Sequence, residues 1–125
     1  MGLPSGLPGH SSKADVAKLQ EEFAPILVEG EQLLAAYRVL RDSMVFTTKR
    51  LILVDKQGVT GSKAEYHSIP YARIVRFSKE SAGIMDLEAE LKIWVVGQPQ
   101  PIAKTFTRGE NVNDVYRLLS RAVLE

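Results

Sequence analysis

The feature that most constrains the fold is an alternation of apolar and polar residues between Asp86 and Val96. The side chains of a β-strand point to opposite faces in turn, so this pattern predicts a strand with one face in a core and the other toward solvent or a partner. Trp94 and Val96 interrupt the polar set, and a core position and an interface position are equally favoured for Trp94. The apolar set is Leu87, Ala89, Leu91, Ile93 and Val95, and the polar set begins with Asp86, Glu88, Glu90 and Lys92.

Other strand-like segments lie before and after this one, with short turns and no helical pattern between them. They predict about seven successive strands over residues 32–107, and successive strands joined by short turns form an antiparallel meander. Gly58 and Gly61 lie among four lysine or arginine residues, which raises the alternative of a phosphate-binding loop. Such a loop leads into a helix. Because both glycines precede strand-like sequence, the meander is favoured.

Helical patterns flank the strands. Residues 12–29 carry apolar residues at helical spacing, with Ser12 as the predicted N-cap, and Pro25 should end or kink that helix near Ala24. Residues 111–124 carry a broad apolar stripe, with Asn111 as the predicted N-cap. Residues 1–11 are rich in glycine, proline and serine and are predicted to form a flexible tail.

Length and composition narrow the class of protein. A chain of 125 residues suits a single domain, predicted over 12–125. The net charge of +1 gives no reason to expect nucleic-acid binding, and the absence of cysteine excludes disulfides and thiolate metal sites. The sequence has neither a signal-peptide pattern nor an apolar run of membrane-spanning length, so we expect a cytoplasmic location.

The chain resembles the bacterial pleckstrin-homology (PH)-like domain family over roughly residues 28–125. The resemblance lies in the segments "VEGEQLLAAYRVLRDSMVFTTKRLILVDKQGVTGSK", "EYHSIPYARIVRFSKESAG", "DLEAELKIWV" and "GENV". It implies a mainly β fold, a partly open seven-stranded antiparallel barrel of two near-orthogonal sheets. A C-terminal helix caps this barrel, and the N-terminal helix is an addition to it. The resemblance also implies assembly into a ring, with five-fold cyclic symmetry expected.

Catalysis, metal binding and cofactor binding find little support. The two histidines are His10, in the predicted tail, and His67, in a strand, and no serine has an evident base beside it. Asp86, Glu88 and Glu90 share a strand face at steps of about 7 Å, which is too wide for a single ion without other ligands. We therefore predict a protein that is not an enzyme and holds neither metal nor cofactor.

Two functions remain as hypotheses. The favoured one is self-assembly together with an interaction surface for an unknown protein, placed on the polar strand face of Asp86, Glu88, Glu90, Lys92 and Trp94. Nine cationic residues against three anionic ones over 32–79, and one against four over 80–100, suit contact between chains. The alternative is binding of a membrane lipid or another anion through a basic hairpin turn, with Lys49 and Arg50 as candidate anion contacts.

Overall fold

The structure is a computed structural model that describes residues 13–39, 42–57, 63–80, 88–107 and 112–125. The chain divides into two compact units, and the boundary falls between Ser68 and Ile69. The elements assigned in the described residues are α1 (Lys13–Phe23), β1 (Leu33–Val39), β2 (Asp42–Thr47), β3 (Arg50–Gln57), β4 (Lys63–Pro70), β5 (Ile74–Glu80), β6 (Glu88–Val95), β7 (Ile102–Thr107) and α2 (Val112–Leu124), with 3-10 turns at Ala24–Ile26 and Tyr71–Arg73.

Pro25 determines where the first helix ends. The helix predicted over 12–29 is divided, because α1 stops at Phe23 and a 3-10 turn follows over Ala24–Ile26. Proline has no backbone N–H and so cannot continue the hydrogen-bond ladder of an α-helix. The amide of Leu27 donates to the carbonyl of Ala24 at 3.3 Å and closes the turn. Ser12, the predicted N-cap, lies outside the described residues.

The first sheet has the strand order β1-β2-β3-β4. Its inner strands are apolar on both faces, since all four residues from Leu51 to Val54 are buried. On one face, Phe23 of α1 packs into a buried cluster, with three further apolar side chains of the N-terminal segment against it. That cluster is Phe23, Leu33, Ala36, Val45, Ile52 and Val54, and the partly buried residues packed on it are Val16, Leu19 and Leu27.

A buried carboxylate ties the start of the first sheet together. The side chain of Glu31, just before β1, is 1% exposed and forms a two-point ion pair with Arg50 at the start of β3. Arg50 Nε donates to Oε2 at 2.8 Å and Nη2 to Oε1 at 2.9 Å. The Thr47 hydroxyl donates to Oε2 at 2.6 Å and the Val28 amide to Oε1 at 3.0 Å. Because both oxygens are fully used, the charge is stable in a site closed to water.

The same residues shape the turn between β2 and β3. Thr47 Oγ1 accepts hydrogen bonds from the amides of Lys49 and Arg50, both at 3.0 Å. The next residue, Thr48, is held to Gln32 by two bonds, one in each direction. Hydrogen bonds to the side chains of Thr47 and Thr48 therefore hold this turn in place. They do so although Thr48-Lys49 is an unusual pair for a two-residue hairpin turn.

We expect Glu31→Gln to destabilise the protein by about 3 kcal/mol at neutral pH. The hydrogen bond from Arg50 is the main reason that the pKa of Glu31 is lowered from 4.5 to about 2, against the opposing effect of burial. A carboxyl group with a lowered pKa stabilises the fold above its unfolded pKa. This contribution is lost as the pH falls from about 4.5 toward 2.

The measurement is the free energy of urea unfolding at several pH values from neutral to acid. The variant should lose stability at neutral pH and should show a weaker dependence on pH in the acid range. Glu29→Gln, at an exposed position two residues away, is the matched control and should behave as the wild type. Equal stability of the two variants would contradict the assignment.

The second sheet has the order β5-β6-β7, and α2 packs against one of its faces. Phe77 of β5 and Tyr116 of α2 form an edge-to-face ring contact at 5.2 Å. On the helix side, Val115 and Leu119 are fully buried. On the same face of the sheet, Leu91, Ile93 and Phe106 are buried as well. The alternation in β6 therefore places Leu91 and Ile93 on the buried face, in agreement with the predicted core side of this strand.

Some sequence predictions fall at the limits of the described residues. The strand predicted from Asp86 is seen from Glu88 onward, so the position of Asp86 lies outside the described residues. The same holds for Asn111, the predicted N-cap of the last helix, and for Gly58 and Gly61. Lys63 is the next described residue after this glycine-containing segment, and it begins β4.

Candidate functional site

The candidate site is the face of the second sheet that points away from α2, which we call the outer face. Strand pairing places residues of all three strands on it, since Ser78 lies opposite Lys92 and Lys92 opposite Ala103. None of the side chains described on this face is buried. The outer face consists of Arg76, Ser78, Glu80, Glu88, Glu90, Lys92, Trp94, Ala103 and Thr105.

At one end of the outer face a cation lies on an aromatic ring. Trp94 is directly opposite Arg76 across β5 and β6, and the guanidinium carbon lies 4.2 Å from the centre of the indole ring. A contact of this kind contributes about 0.5–1 kcal/mol at an exposed site. Trp94 is half-buried on the polar side of the strand. The structure therefore places it on the surface that the charged residues share, outside the buried core.

Exposed valines extend this end of the outer face. The pairing of β5 with β6 shifts between Ile74 and Arg76, and Val75 is the additional residue in this bulge. Its side chain is 62% exposed, and that of Val96 is 50% exposed. The Val96 amide donates to the carbonyl of Arg73 at 2.9 Å, which holds this end of β6 against the start of β5. Val75 and Val96 thus add exposed apolar surface at the end of the sheet where Trp94 and Arg76 lie, which we call the apolar end.

The other end of the outer face is acidic. Glu80 lies directly opposite Glu90, and Glu88 is two residues further along β6. Lys92 approaches Glu90 at 3.8 Å, and both side chains are more than a third exposed, so water weakens this pair. Like charges directly opposite each other in an antiparallel pair are unfavourable. This end of the outer face therefore attracts positive charge.

The two residues of the basic turn have different roles. Arg50 is part of the Glu31 site, and its remaining donors reach the carbonyl of Ile26 at 2.6 Å and the hydroxyl of Ser68 at 2.9 Å. Lys49 is exposed at the tip of the turn. The structure therefore does not bring the two cations together toward one ligand. In the part of the chain that the structure describes, no helix is long and apolar enough to cross a membrane.

His67 lies in a polar group on β3 and β4. Its Nε2 is 3.5 Å from a carboxylate oxygen of Asp55 and 3.4 Å from one of Glu65, and Gln57 donates to Glu65 at 2.8 Å. All four side chains are at least partly exposed. Among the described residues, no three histidine or acidic side chains are placed so that they could hold a metal ion.

Sequence reasoning missed residues that lie on β5. Arg76, Ser78 and Glu80 alternate along the strand and face the predicted residues of β6. The period of two is visible in the sequence, but which side of β5 faces outward depends on the bulge at Val75. Glu31 was missed for another reason, because its partner Arg50 lies nineteen residues further along the chain.

A model of the bacterial PH domain family matches residues 2–123, and the chain belongs to this family. Its fold is PH-like and mainly β, with seven antiparallel strands in two sheets, a short N-terminal helix and a C-terminal helix.

Similar proteins are found in several bacteria. The chain is 51% identical to the uncharacterized protein YjqA of Bacillus subtilis, over 96% of this chain and 97% of that protein. A pleckstrin homology domain from Shewanella amazonensis is 50% identical with a TM-score of 0.84, over 92% of this chain and 93% of that one. A DUF1696 family protein with a pleckstrin-homology domain from Shewanella loihica is 44% identical with a TM-score of 0.81, over 95% and 99%. The expected family is confirmed.

We expect truncation of Trp94 to cost much less stability than truncation of Leu91, which lies on the buried face of the same strand. Leu91→Ala removes a fully buried side chain and should cost about 2–5 kcal/mol. Trp94→Ala removes a half-buried side chain from the outer face and should cost about 1–2 kcal/mol at most. Urea unfolding followed by circular dichroism measures both. A cost for Trp94→Ala equal to that for Leu91→Ala would place Trp94 in the core instead.

We expect Glu80→Lys to raise the stability slightly, by roughly 0.5–1 kcal/mol, because it places a cation directly opposite Glu90. Glu80→Gln removes only the repulsion and should give a smaller gain. Thermal unfolding of the two variants beside the wild type provides the comparison. A loss of stability in Glu80→Lys would show that the two carboxylates do not repel each other across the strands.

Proposed function

We propose that this bacterial PH domain is a non-catalytic module that assembles into a closed ring and offers the outer face as a binding surface for a protein. The observation that carries the proposal is the outer face itself. It combines a half-buried tryptophan and two exposed valines with charged residues, while the opposite face of the same sheet is covered by α2. Aromatic and arginine side chains are enriched in protein interfaces.

The absence of catalytic activity is supported by what the polar groups do. The buried carboxylate, Glu31, accepts hydrogen bonds on both oxygens and has a pKa lowered to about 2, so it stays ionised and satisfied. A general acid or base needs a pKa near the working pH and access to a substrate. His67 is exposed, with its carboxylate neighbours at 3.4 Å or more. These features suit structural roles.

Assembly into a ring has a basis in the strand order. β4 ends the first sheet and β7 ends the second, and a strand at the end of a sheet offers unpaired backbone groups unless another element covers them. The side chains of β4 from residue 63 to residue 68 are all exposed. Contact between two unlike edges of neighbouring copies is heterologous, and such contacts close into rings when the rotation fits.

Binding of anionic lipid through the basic turn is the alternative function. It needs a group of cations that can reach one headgroup, but the donors of Arg50 are directed at Glu31, Ile26 and Ser68. Of the two residues predicted to contact the anion, only Lys49 then remains, at the tip of the turn. One exposed lysine gives weak, salt-sensitive attraction, so we favour the protein-binding function.

Light scattering coupled to size-exclusion chromatography tests the ring. We expect a mass several times the 13.9 kDa of one chain, and five times that mass for five-fold symmetry. The mass should persist on dilution at moderate salt, because a closed ring satisfies every joint. A mass of one chain at all concentrations would refute the ring, and a mass of two chains would indicate an isologous dimer in its place.

Flotation with phosphatidylserine vesicles tests the alternative. We expect little binding at moderate salt and no difference between the wild type and Lys49→Ala. Lys18→Ala, an exposed lysine on α1, is the matched control. Salt-resistant binding that is lost in Lys49→Ala and kept in Lys18→Ala would establish the lipid-binding function and overturn the one proposed here.

A further inference from the structure

The size of the outer face limits what can bind to it. Three strands about 4.8 Å apart, followed over the six residue steps from Glu88 to Trp94 at about 3.4 Å each, give an area of roughly 300 Å². A stable interface between two folded proteins buries about 800 Å² on each partner. The flat area of the outer face is well below this value, so the face matches one short segment of a chain better than a second folded domain.

The two ends of the outer face also differ in chemistry. One end presents Trp94 with Val75 and Val96, while Glu80, Glu88 and Glu90 lie at the other end. Lys92 is near one of these carboxylates only, at 3.8 Å from Glu90. A binding segment must therefore be apolar at one end and positively charged at the other.

We propose that the outer face docks a short, extended, cationic segment of another protein. Its apolar side chains cover Trp94, Val75 and Val96, and its lysine or arginine side chains reach Glu80, Glu88 and Glu90. The geometry favours an extended chain, because alternate side chains of such a chain repeat every 7 Å or so, the same step that separates Glu88 from Glu90 along β6. The inference rests on the proposed use of this face as a protein-binding surface and specifies the partner's chemistry.

The electrostatics favour a cationic occupant over an acidic or neutral one. Glu80 and Glu90 face each other across the two strands, and this like-charge pair is relieved when a cation comes between them. At the other end, Arg76 already lies on the ring of Trp94 and repels a second cation. The side chains of the segment that bind at this end are therefore apolar. The direction of the segment on the face is then fixed by charge at one end and by apolar burial at the other.

The test uses two synthetic peptides of eight residues. The first has valine at its first and third residues, lysine at its fifth and seventh, and serine between; the second has glutamate in place of both lysines. Trp94 is the only tryptophan of the chain, so its fluorescence reports binding at this face directly. We expect the lysine peptide to bind and shift the emission, and the glutamate peptide to bind at least about tenfold more weakly.

Variants locate the site. Glu80→Gln with Glu90→Gln should weaken binding of the lysine peptide by roughly three- to tenfold, since each exposed pair contributes little. Glu21→Gln with Glu22→Gln on α1 removes the same charge at exposed positions and should leave affinity unchanged. Circular dichroism confirms that each variant folds. Equal binding of the two peptides, or an equal loss in both variants, would overturn the proposal.

Light scattering of the same samples separates this inference from the ring. A single-chain mass combined with specific binding of the lysine peptide would refute the ring and support the docking site. An intact ring with no preference for the lysine peptide would refute the docking site alone. If the substitutions at Glu80 and Glu90 changed the mass and left peptide affinity as it was, the outer face would be a contact between copies and the proposal would be wrong.

Discussion

The interaction on which the first sheet depends is the ion pair between Glu31 and Arg50. A carboxylate in a site closed to water is tolerated only when each of its oxygens is hydrogen-bonded. Here the donors come from the segment after α1, from the end of β2 and from the start of β3. The carboxylate of Glu31 therefore holds three parts of the chain together. These are the segment that leads into β1, the β2–β3 turn and the start of β3. The side chain of Gln20 on α1 adds to this, since it accepts a hydrogen bond from the Leu33 amide at 2.9 Å.

This interaction also shows what the sequence could not reveal. A lysine and an arginine in a turn are normally solvated, and Lys49 and Arg50 were candidate anion contacts only under the alternative of lipid or anion binding. The anion that Arg50 contacts is Glu31 of the same chain, and neither local pattern nor period connects the two positions. The mainly β class, the succession of strands and the effect of Pro25 were all predictable, because they rest on local backbone chemistry. Long-range polar pairs leave no such local trace.

The outer face was predictable in part. The alternation in β6 placed Glu88, Glu90, Lys92 and Trp94 on one side, and the structure agrees. The contribution of β5 was not predictable, because the bulge at Val75 changes which residues of that strand face outward. The opposition of Glu80 and Glu90 follows from this register. Trp94 could not be assigned from the sequence, since a large aromatic residue suits a core and a surface contact equally well.

The two sheets differ in a way that explains why we place the proposed binding surface on the second. The inner strands of the first sheet are apolar on both faces, and α1 covers one of them, so a continuous apolar run such as Leu51–Val54 leaves neither face for solvent. In the second sheet only one face is apolar, and α2 packs on it. Its other face needs no cover to be stable, so the half-buried Trp94 there is not required to form the core. A half-buried tryptophan at one end of such a face, with two exposed valines near it, supports the proposal that a protein binds there.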